Sequence, residues 1–400
     1  WRKLQHWCKY KGPEWTATRI KAVWNIALLY RSGQIERIPM VCQNARIACA
    51  HGLPIGVEGV LVRIWSQVQK PSLLRALTVS LRAYTAITLS KESHSQVEKS
   101  KLTITSPGKE IAIVPIPRKD FHRLIDQDDA FRKNIVSFLP CGKIKPNKLT
   151  LERVVRLSGT SSYPSLIHIP SKDKKQMPYL SMCASMLSKG IVPEVLIEKL
   201  GDFSLRKEAE AFQRNHEVIP TYGRITMIQE GGAKGRTVCS PNAWIQFYCY
   251  PYHKYLMQVL TSLESGRFKA SGVQYGVSCA LDQVRGVYLA LSRLNSGSFC
   301  HAVDLSSATD RFPLKLQTVM CGELGIPEFG TALESLRGPY VGLDRSQWTY
   351  GAGQPMGLYG SFPLFHLSHF ALLNGLSHRI GLGGDDNFCV LGDDVLIFDE

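Results

Sequence analysis

Four hundred residues with 44% hydrophobic content can bury a sizeable core, and the length suggests two or three lobes. The net charge of +15 favours a polyanionic partner or an acidic membrane surface, while no apolar run reaches the ~18–20 residues of a helical membrane span. Among the 11 cysteines there is no Cys-x-x-Cys pair and no His-rich partner cluster, which excludes metal fingers and a secreted disulfide framework and predicts buried thiols in a reducing interior.

The charge is unevenly spread. Residues 1–200 carry 32 Lys+Arg against 14 Asp+Glu, residues 201–400 carry 16 against 19, and residues 301–400 carry 5 against 12. A basic front and an acidic back suit a protein that grips phosphates in one place and holds cations in another. A solvated basic surface would give the same totals. The chain begins at Trp1 rather than Met and stops at Glu400 after an apolar run, so both ends read as cut.

Helices are expected through the first ~90 residues. Ile20–Tyr30 stops near Gly33, and Ser72–Leu89 carries Leu73, Leu74, Leu77, Val79, Leu81 and Tyr84 at mixed helical spacing. Residues 91–109, polar and closed by Ser106-Pro107-Gly108, read as a connector. Ser158–Lys175 reads as an exposed loop able to touch a nucleic-acid backbone. Tyr222–Gln229 and Gly235–Cys239 are expected to be strands around the turn Gly231-Gly232. In Gly231-Gly232-Ala233-Lys234-Gly235-Arg236, alternation aims Lys234 and Arg236 at one face, a point charge and a fork that suit a triphosphate. Surface Lys-x-Arg is also common. Ala243–Leu263 reads as a core helix, Leu281–Leu294 as another, and Phe299–Val303 as a short strand.

That strand ends in Asp304, and Asp310 follows six positions later, just before a Pro that can open a helix. A carboxylate at a strand end can hold a hard cation, although a helix cap or a surface pair is the commoner use of either residue alone. Tyr350–Pro363 places four glycines in ten residues ahead of a helical run, Leu364–Leu376, with Ser361 as a good N-cap. An ordinary glycine-rich connector has the same composition. Near the end, Val390-Leu391-Gly392-Asp393-Asp394-Val395-Leu396 sets two apolar runs around a Gly-Asp-Asp tip, which predicts a tight hairpin. A second copy, Gly384-Asp385-Asp386, lacks a preceding strand and reads as a polar loop. Carboxylates from separate strands converging on ions ~3.5–4 Å apart are what two-metal nucleotidyl transfer needs, and Asp304, Asp393 and Asp394 are the candidates. Magnesium is the default for hard oxygen ligands and a phosphate-bearing substrate.

Taken in order, these segments resemble the RNA-dependent RNA polymerases of the narnavirus, ourmiavirus and mitovirus group. Gly231-Gly-Ala-Lys-Gly-Arg236 looks like that family's motif F, Asp304-Leu-Ser-Ser-Ala-Thr-Asp310-Arg-Phe-Pro like motif A, Gly353-Gln-Pro-Met-Gly357 like motif B and Leu391-Gly-Asp-Asp-Val395 like motif C. The Gly-Gln-Pro-Met-Gly form is closest to mitoviruses. The motifs span residues 231–398, while the first 200 residues resemble the group only in length and basicity.

The resemblance implies an α+β right-hand polymerase fold comprising the fingers and most of the palm, without the thumb. Its expected division is a helical N-terminal region at 1–110, fingers at 111–295 and palm at 296–400. It implies two Mg2+ (or Mn2+) ions on Asp304, Asp393 and Asp394, with an RNA template, nascent RNA and ribonucleoside triphosphates as partners. Asp310 would meet the incoming ribose, Lys234 and Arg236 the triphosphate, and Gly357 and Ser361 would flank template and nucleotide. Many members carry Asn or an acidic residue where this chain has Phe365. Residence would be the host mitochondrion, with the host cytoplasm as the alternative. Two other readings stay open, an organellar reverse transcriptase and a non-catalytic viral remnant that binds RNA. Leu391-Gly-Asp-Asp and Asp310 argue against the first, and the intact aspartates against the second.

Overall fold

Where the apolar periodicity predicts helices near the N-terminus, the computed structural model has them. It describes residues 2–51, 53–108, 222–241, 243–265, 276–381 and 386–399, plus the two-residue strands at 167–168 and 219–220. The loop expected at Ser158–Lys175 lies outside the described residues except for that first strand, and Gly384 and Asp385 of the second Gly-Asp-Asp copy lie outside them too. The described chain forms two compact units, residues 1–97 with 227–237, and residues 98–226 with 238–400.

In the first unit, α2 (Pro13–Arg31), α3 (Ile38–Asn44), α4 (Val57–Gln67) and α5 (Pro71–Leu81) share one core, and α1 (Arg2–Lys11) lies on α2. Val23, Ile26 and Ala27 of α2 meet Ile38, Val62, Trp65 and Leu81 there. The helix expected over Ser72–Leu89 ends at Leu81 and passes into a 3-10 turn at Ala83–Ala86.

Two expectations are corrected here. Residues expected to form a connector contain α6 (His94–Thr105). Its start is a capping box: the Gln96 N–H donates to Ser93 Oγ, and the Ser93 N–H donates to Gln96 Oε1, both at 3.2 Å. This helix hides little apolar surface beyond Ile104, so it leaves no periodic signal. Second, Cys42 and Cys49, expected as free thiols, are joined in a disulfide. The end of α3 and the strand β1 (Cys49–Ala50), which pairs with β2 (Leu53–Pro54), hold their Cα atoms 6.6 Å apart, within bridging reach.

The second unit is α+β. A short pair, β3 (Ile167–His168) with β4 (Ile219–Pro220), is separate from its two larger sheets. Strands β5 (Gly223–Glu230) and β6 (Lys234–Pro241) flank the predicted turn; residues 223–226 and 238–241 of them belong to this unit, and β9 (Tyr340–Val341) and β10 (Gln347–Trp348) complete a sheet of order β10-β9-β5-β6. The core helix predicted at Ala243–Leu263 is α7 (Ala243–Glu264). The next predicted helix is α8 (Gln283–Asn295), capped by Asp282, whose Oδ1 accepts from the Val284 and Arg285 N–H groups.

The sheet that carries the aspartates has the order β7-β11-β12-β8, built from β7 (Gly276–Ser278), β8 (Phe299–Asp304), β11 (Phe388–Leu391) and β12 (Asp394–Asp399). β11 and β12 form the predicted hairpin, β12 pairs antiparallel with β8, and β7 joins β11 in parallel. Helix α8 packs on this sheet. Its Gly286 lies against the thiols of Cys279 and Cys389, which a Cβ there would meet at 3.3 and 3.5 Å. After β8 come α9 (Ala308–Arg311), α10 (Leu314–Glu323) and α11 (Pro327–Ser335). The glycine-rich segment then leads into α12 (Ser361–Arg379), which is central: Leu364, Phe365, Leu367, Phe370 and Ala371 are all buried. The cap lies one residue before the expected one. Gly360, at φ 89°, is the N-cap and Ser361 the first helical residue, because a side chain at 360 would come within 2.9 Å of the Phe329 ring.

Candidate active site

Asp304 and Asp394 are direct cross-strand partners at the shared end of β8 and β12. One residue away, Asp393 sits in the hairpin turn, and its carbonyl accepts the Leu305 N–H at 3.3 Å. Carboxylates nearly ninety residues apart in sequence therefore stand together, all three exposed at one edge of the sheet. Burial, then Asp393, then Asp304 push the Asp394 carboxyl above its ordinary value. Among the described residues no three His, Cys, Asp or Glu side chains form a ready-made metal cage. Hard oxygen donors under like-charge strain are a donor set that a divalent cation would relieve.

Asp310 lies in the single turn of α9 and is only 7% exposed. Among the described residues its Oδ1 meets no hydrogen-bond donor. Burial raises its carboxyl to about 7, with Arg311 opposing. The backbone around it is held by the glycine-rich segment. The N–H groups of Gly353 and Gln354 donate to the carbonyls of Asp310 and Thr309 at 3.0 and 3.1 Å, and a Cβ on Gly353 would strike that same backbone. Arg311 points the other way, donating to the carbonyls of Thr103, Ser106 and Pro107.

Gly357 is exposed at φ 114° and lies tight against the Cys239 carbonyl of β6, with no room for a Cβ. Met356 and Gly357 are pinned by the Cys239 N–H and by Gln246 of α7, which also accepts the Tyr359 N–H. Ser361 is buried, and its carbonyl accepts from Gln354. Phe365 is a core residue, edge-on to Phe312 and stacked on His369, so it offers nothing to a ribose.

Lys234 and Arg236 belong to the first unit. Both are exposed while Gly235 and Thr237 between and after them are less so, in keeping with the predicted common face. Arg236 is ion-paired to Glu230 across the hairpin at 2.7 Å.

Two residues that sequence reasoning passed over touch the Gly-Asp-Asp turn itself. Gly392 donates its N–H to His366 Nδ1 at 3.0 Å, and its carbonyl lies 2.8 Å from His369 Nδ1. Their only sequence signal is a pair of histidines three apart in an apolar helix, a pattern that ordinary core histidines share.

A profile of the family described as Mitovirus RNA-dependent RNA polymerase matches residues 157–400. The chain is 29% identical over 188 residues to the RNA-directed RNA polymerase of Cryphonectria parasitica mitovirus 1, a match covering 45% of this chain and 21% of that protein. It is 35% identical over 118 residues to an uncharacterized mitochondrial protein of Arabidopsis thaliana, covering 27% of this chain and 58% of that one. The RNA-dependent RNA polymerase of a human picorbirnavirus aligns with 84% of this chain and 69% of its own at 15% identity, with a TM-score of 0.36. The matches thus span about a fifth and under three-fifths of the two curated relatives.

Proposed function

Since the chain belongs to the mitovirus RNA-dependent RNA polymerase family, we propose that it carries the nucleotidyl-transfer centre of such an enzyme and extends RNA on an RNA template, copying a positive-strand viral genome. The observation that carries this reading is the cross-strand pairing of Asp304 with Asp394, with Asp393 in the adjoining turn. These three side chains would hold two Mg2+ (or Mn2+) ions. Bound there, the ions would acidify the attacking 3′-hydroxyl and neutralise the triphosphate and its leaving group.

The chain's other residues bind and orient. Asp310 Oδ1, a buried acceptor without a donor, accepts a hydroxyl of the incoming ribose. Lys234 and Arg236 grip the triphosphate, for which Arg236 exchanges Glu230 for phosphate. Gly357 and Ser361 border the template and nucleotide through backbone held rigid by Gln246 and Gln354. With Phe365 in the core, ribose selection rests on Asp310 and Ser361. The division into a helical region at 1–110, fingers at 111–295 and palm at 296–400 follows from the same reading, as does action in the host mitochondrion. No helix among the described residues is long and apolar enough to cross a membrane.

The test is incorporation of labelled ribonucleotides by the whole polymerase on an RNA template with Mg2+. Product must require the template, and chelation of the metal must abolish it. Synthesis on a DNA template only, or from deoxynucleotides in preference, would favour the reverse transcriptase reading. RNA binding gives a separate prediction. The excess of 32 Lys+Arg over 14 Asp+Glu in residues 1–200 should make RNA affinity fall at least about a hundredfold between 50 and 200 mM salt. A flat response in a filter-binding or anisotropy titration would remove the basic half from the RNA interface.

A further inference from the structure

We propose that His366 and His369 are positioning residues that clamp the Gly392 backbone and so set the orientation of Asp393 and Asp394 toward Asp304. The inference rests on the polymerase reading above.

A glycine at a hairpin tip ordinarily leaves its backbone groups to water. Gly392, at φ 61°, is instead buried, and each of its two polar atoms meets an imidazole from one face of α12. The partners fix the tautomers. A backbone N–H can only donate, so His366 Nδ1 accepts and its proton sits on Nε2. A carbonyl can only accept, so His369 carries its proton on Nδ1. The two rings, three residues apart, hold opposite tautomers and grip opposite ends of one residue.

The His366 side continues inward. Its Nε2–H faces Ser278 Oγ of β7 at 2.8 Å, and the Ser278 hydroxyl donates to Glu264 Oε1 at the end of α7. Glu264 is itself fixed by the N–H groups of Ala280 and Leu281, at 2.7 and 3.0 Å. A chain of fully satisfied hydrogen bonds thus runs from Glu264 to the turn, and no member has a free rotor left. Both rings are also wedged by aromatic neighbours, His366 against Phe370 and His369 against Phe365.

The consequence is geometric. The Gly392 carbonyl belongs to the peptide that joins it to Asp393. Holding that oxygen fixes the peptide plane, and with it the direction in which the Asp393 side chain leaves the turn. Holding the N–H fixes the preceding plane. Without the clamp, a glycine between two planes can rotate both and carry the carboxylates away from Asp304. Burial lowers both imidazoles, His366 to about 3, with Gly392 and Asp393 opposing at His369.

The experiment compares variants of the whole polymerase. His369→Phe keeps the stacked ring and removes the donor. His369→Asn returns an N–H near the place of Nδ1. The readouts are kcat and KM for nucleotide incorporation, RNA affinity, and Mn2+ binding followed by electron paramagnetic resonance with Mn2+ alone. His369→Phe should lower kcat and Mn2+ affinity each by roughly tenfold or more, the loss seen when partners of metal ligands are removed. KM and RNA affinity should stay within about twofold of wild type, and His369→Asn should recover most of both losses. Ser278→Ala, remote from the turn and small, should give a weaker loss of the same kind, and covers the case in which His369→Phe fails to fold. Variants that lose only thermal stability, with wild-type Mn2+ affinity and kcat, would reduce the histidines to core packing and overturn the proposal. A wild-type protein that binds Mn2+ but makes no RNA would count against the polymerase reading, while Mn2+ binding by the variants would still decide the clamp.

Discussion

Replacing Asp393 by Asn should lower RNA-templated incorporation by about a thousandfold or more while leaving RNA affinity within about twofold of wild type. The two side chains have the same shape, so the β11–β12 turn and its bonds to His366 and His369 should survive. What is lost is one negative charge at the edge where Asp304 and Asp394 face each other. Folding should not suffer, since removing Asp393's charge also removes one of the causes that push the Asp394 carboxyl up. If RNA affinity comes mainly from the excess of 32 Lys+Arg over 14 Asp+Glu in residues 1–200, as we propose, the two readouts separate. A variant that polymerises at the wild-type rate would take Asp393 out of the metal site. One that loses RNA binding as well would show that the turn had collapsed.

Replacing Asp310 by Asn should have opposite effects on stability and on activity. Burial holds the Asp310 carboxyl at about 7, against an ordinary value of 3.8, and Oδ1 has no donor. Between those two values the folded protein binds this proton more tightly than the unfolded chain, so stability contributed by the site falls as pH rises. The penalty is complete above about pH 7, where the native state must bury a carboxylate whose Oδ1 lacks a donor, and amounts to roughly 4 kcal/mol at most. Asn carries no such penalty. Its melting temperature should match wild type near pH 4 and exceed it increasingly up to pH 8, as measured by thermal unfolding at stepped pH. Activity should move the other way. If Asp310 accepts a ribose hydroxyl, exchanging a charged acceptor for a neutral one should cut kcat/KM for ribonucleotides by about tenfold or more and for deoxynucleotides by less. Equal losses for both sugars would exclude Asp310 from ribose recognition.

The carboxylate edge was legible in the sequence because its signals are local. Phe299–Val303 is a strand-like run that ends on Asp304, and the apolar runs Val390–Leu391 and Val395–Phe398 flank Gly-Asp-Asp, which a tight hairpin accommodates. The burial of Asp310 was not legible, because it depends on the glycine-rich segment folding back to place the Gly353 and Gln354 N–H groups on α9. The cap of α12 moved by one residue for a similar reason, the Phe329 ring lying against Gly360. Helix α6 was missed although its capping box, Ser93 with Gln96, stands in the sequence, since a polar helix that buries little beyond Ile104 has no periodicity to detect. Strand β7 is three residues long and is ordered by the neighbouring β11, which no reading of Gly276–Ser278 alone reveals. The histidine clamp joins residues from α12, β7, α7 and the turn, so only the folded chain brings it together.

Asp304 and Asp393–Asp394 should hold the same cations, and iron-directed cleavage of the polypeptide tests this without requiring activity. Fe2+ exchanged into the wild-type polymerase, with ascorbate and peroxide, should cut the backbone near residue 304 and again near residues 392–394, and excess Mg2+ should suppress both cuts together. Cleavage at one of these places without the other, or cuts that Mg2+ leaves untouched, would contradict a shared site.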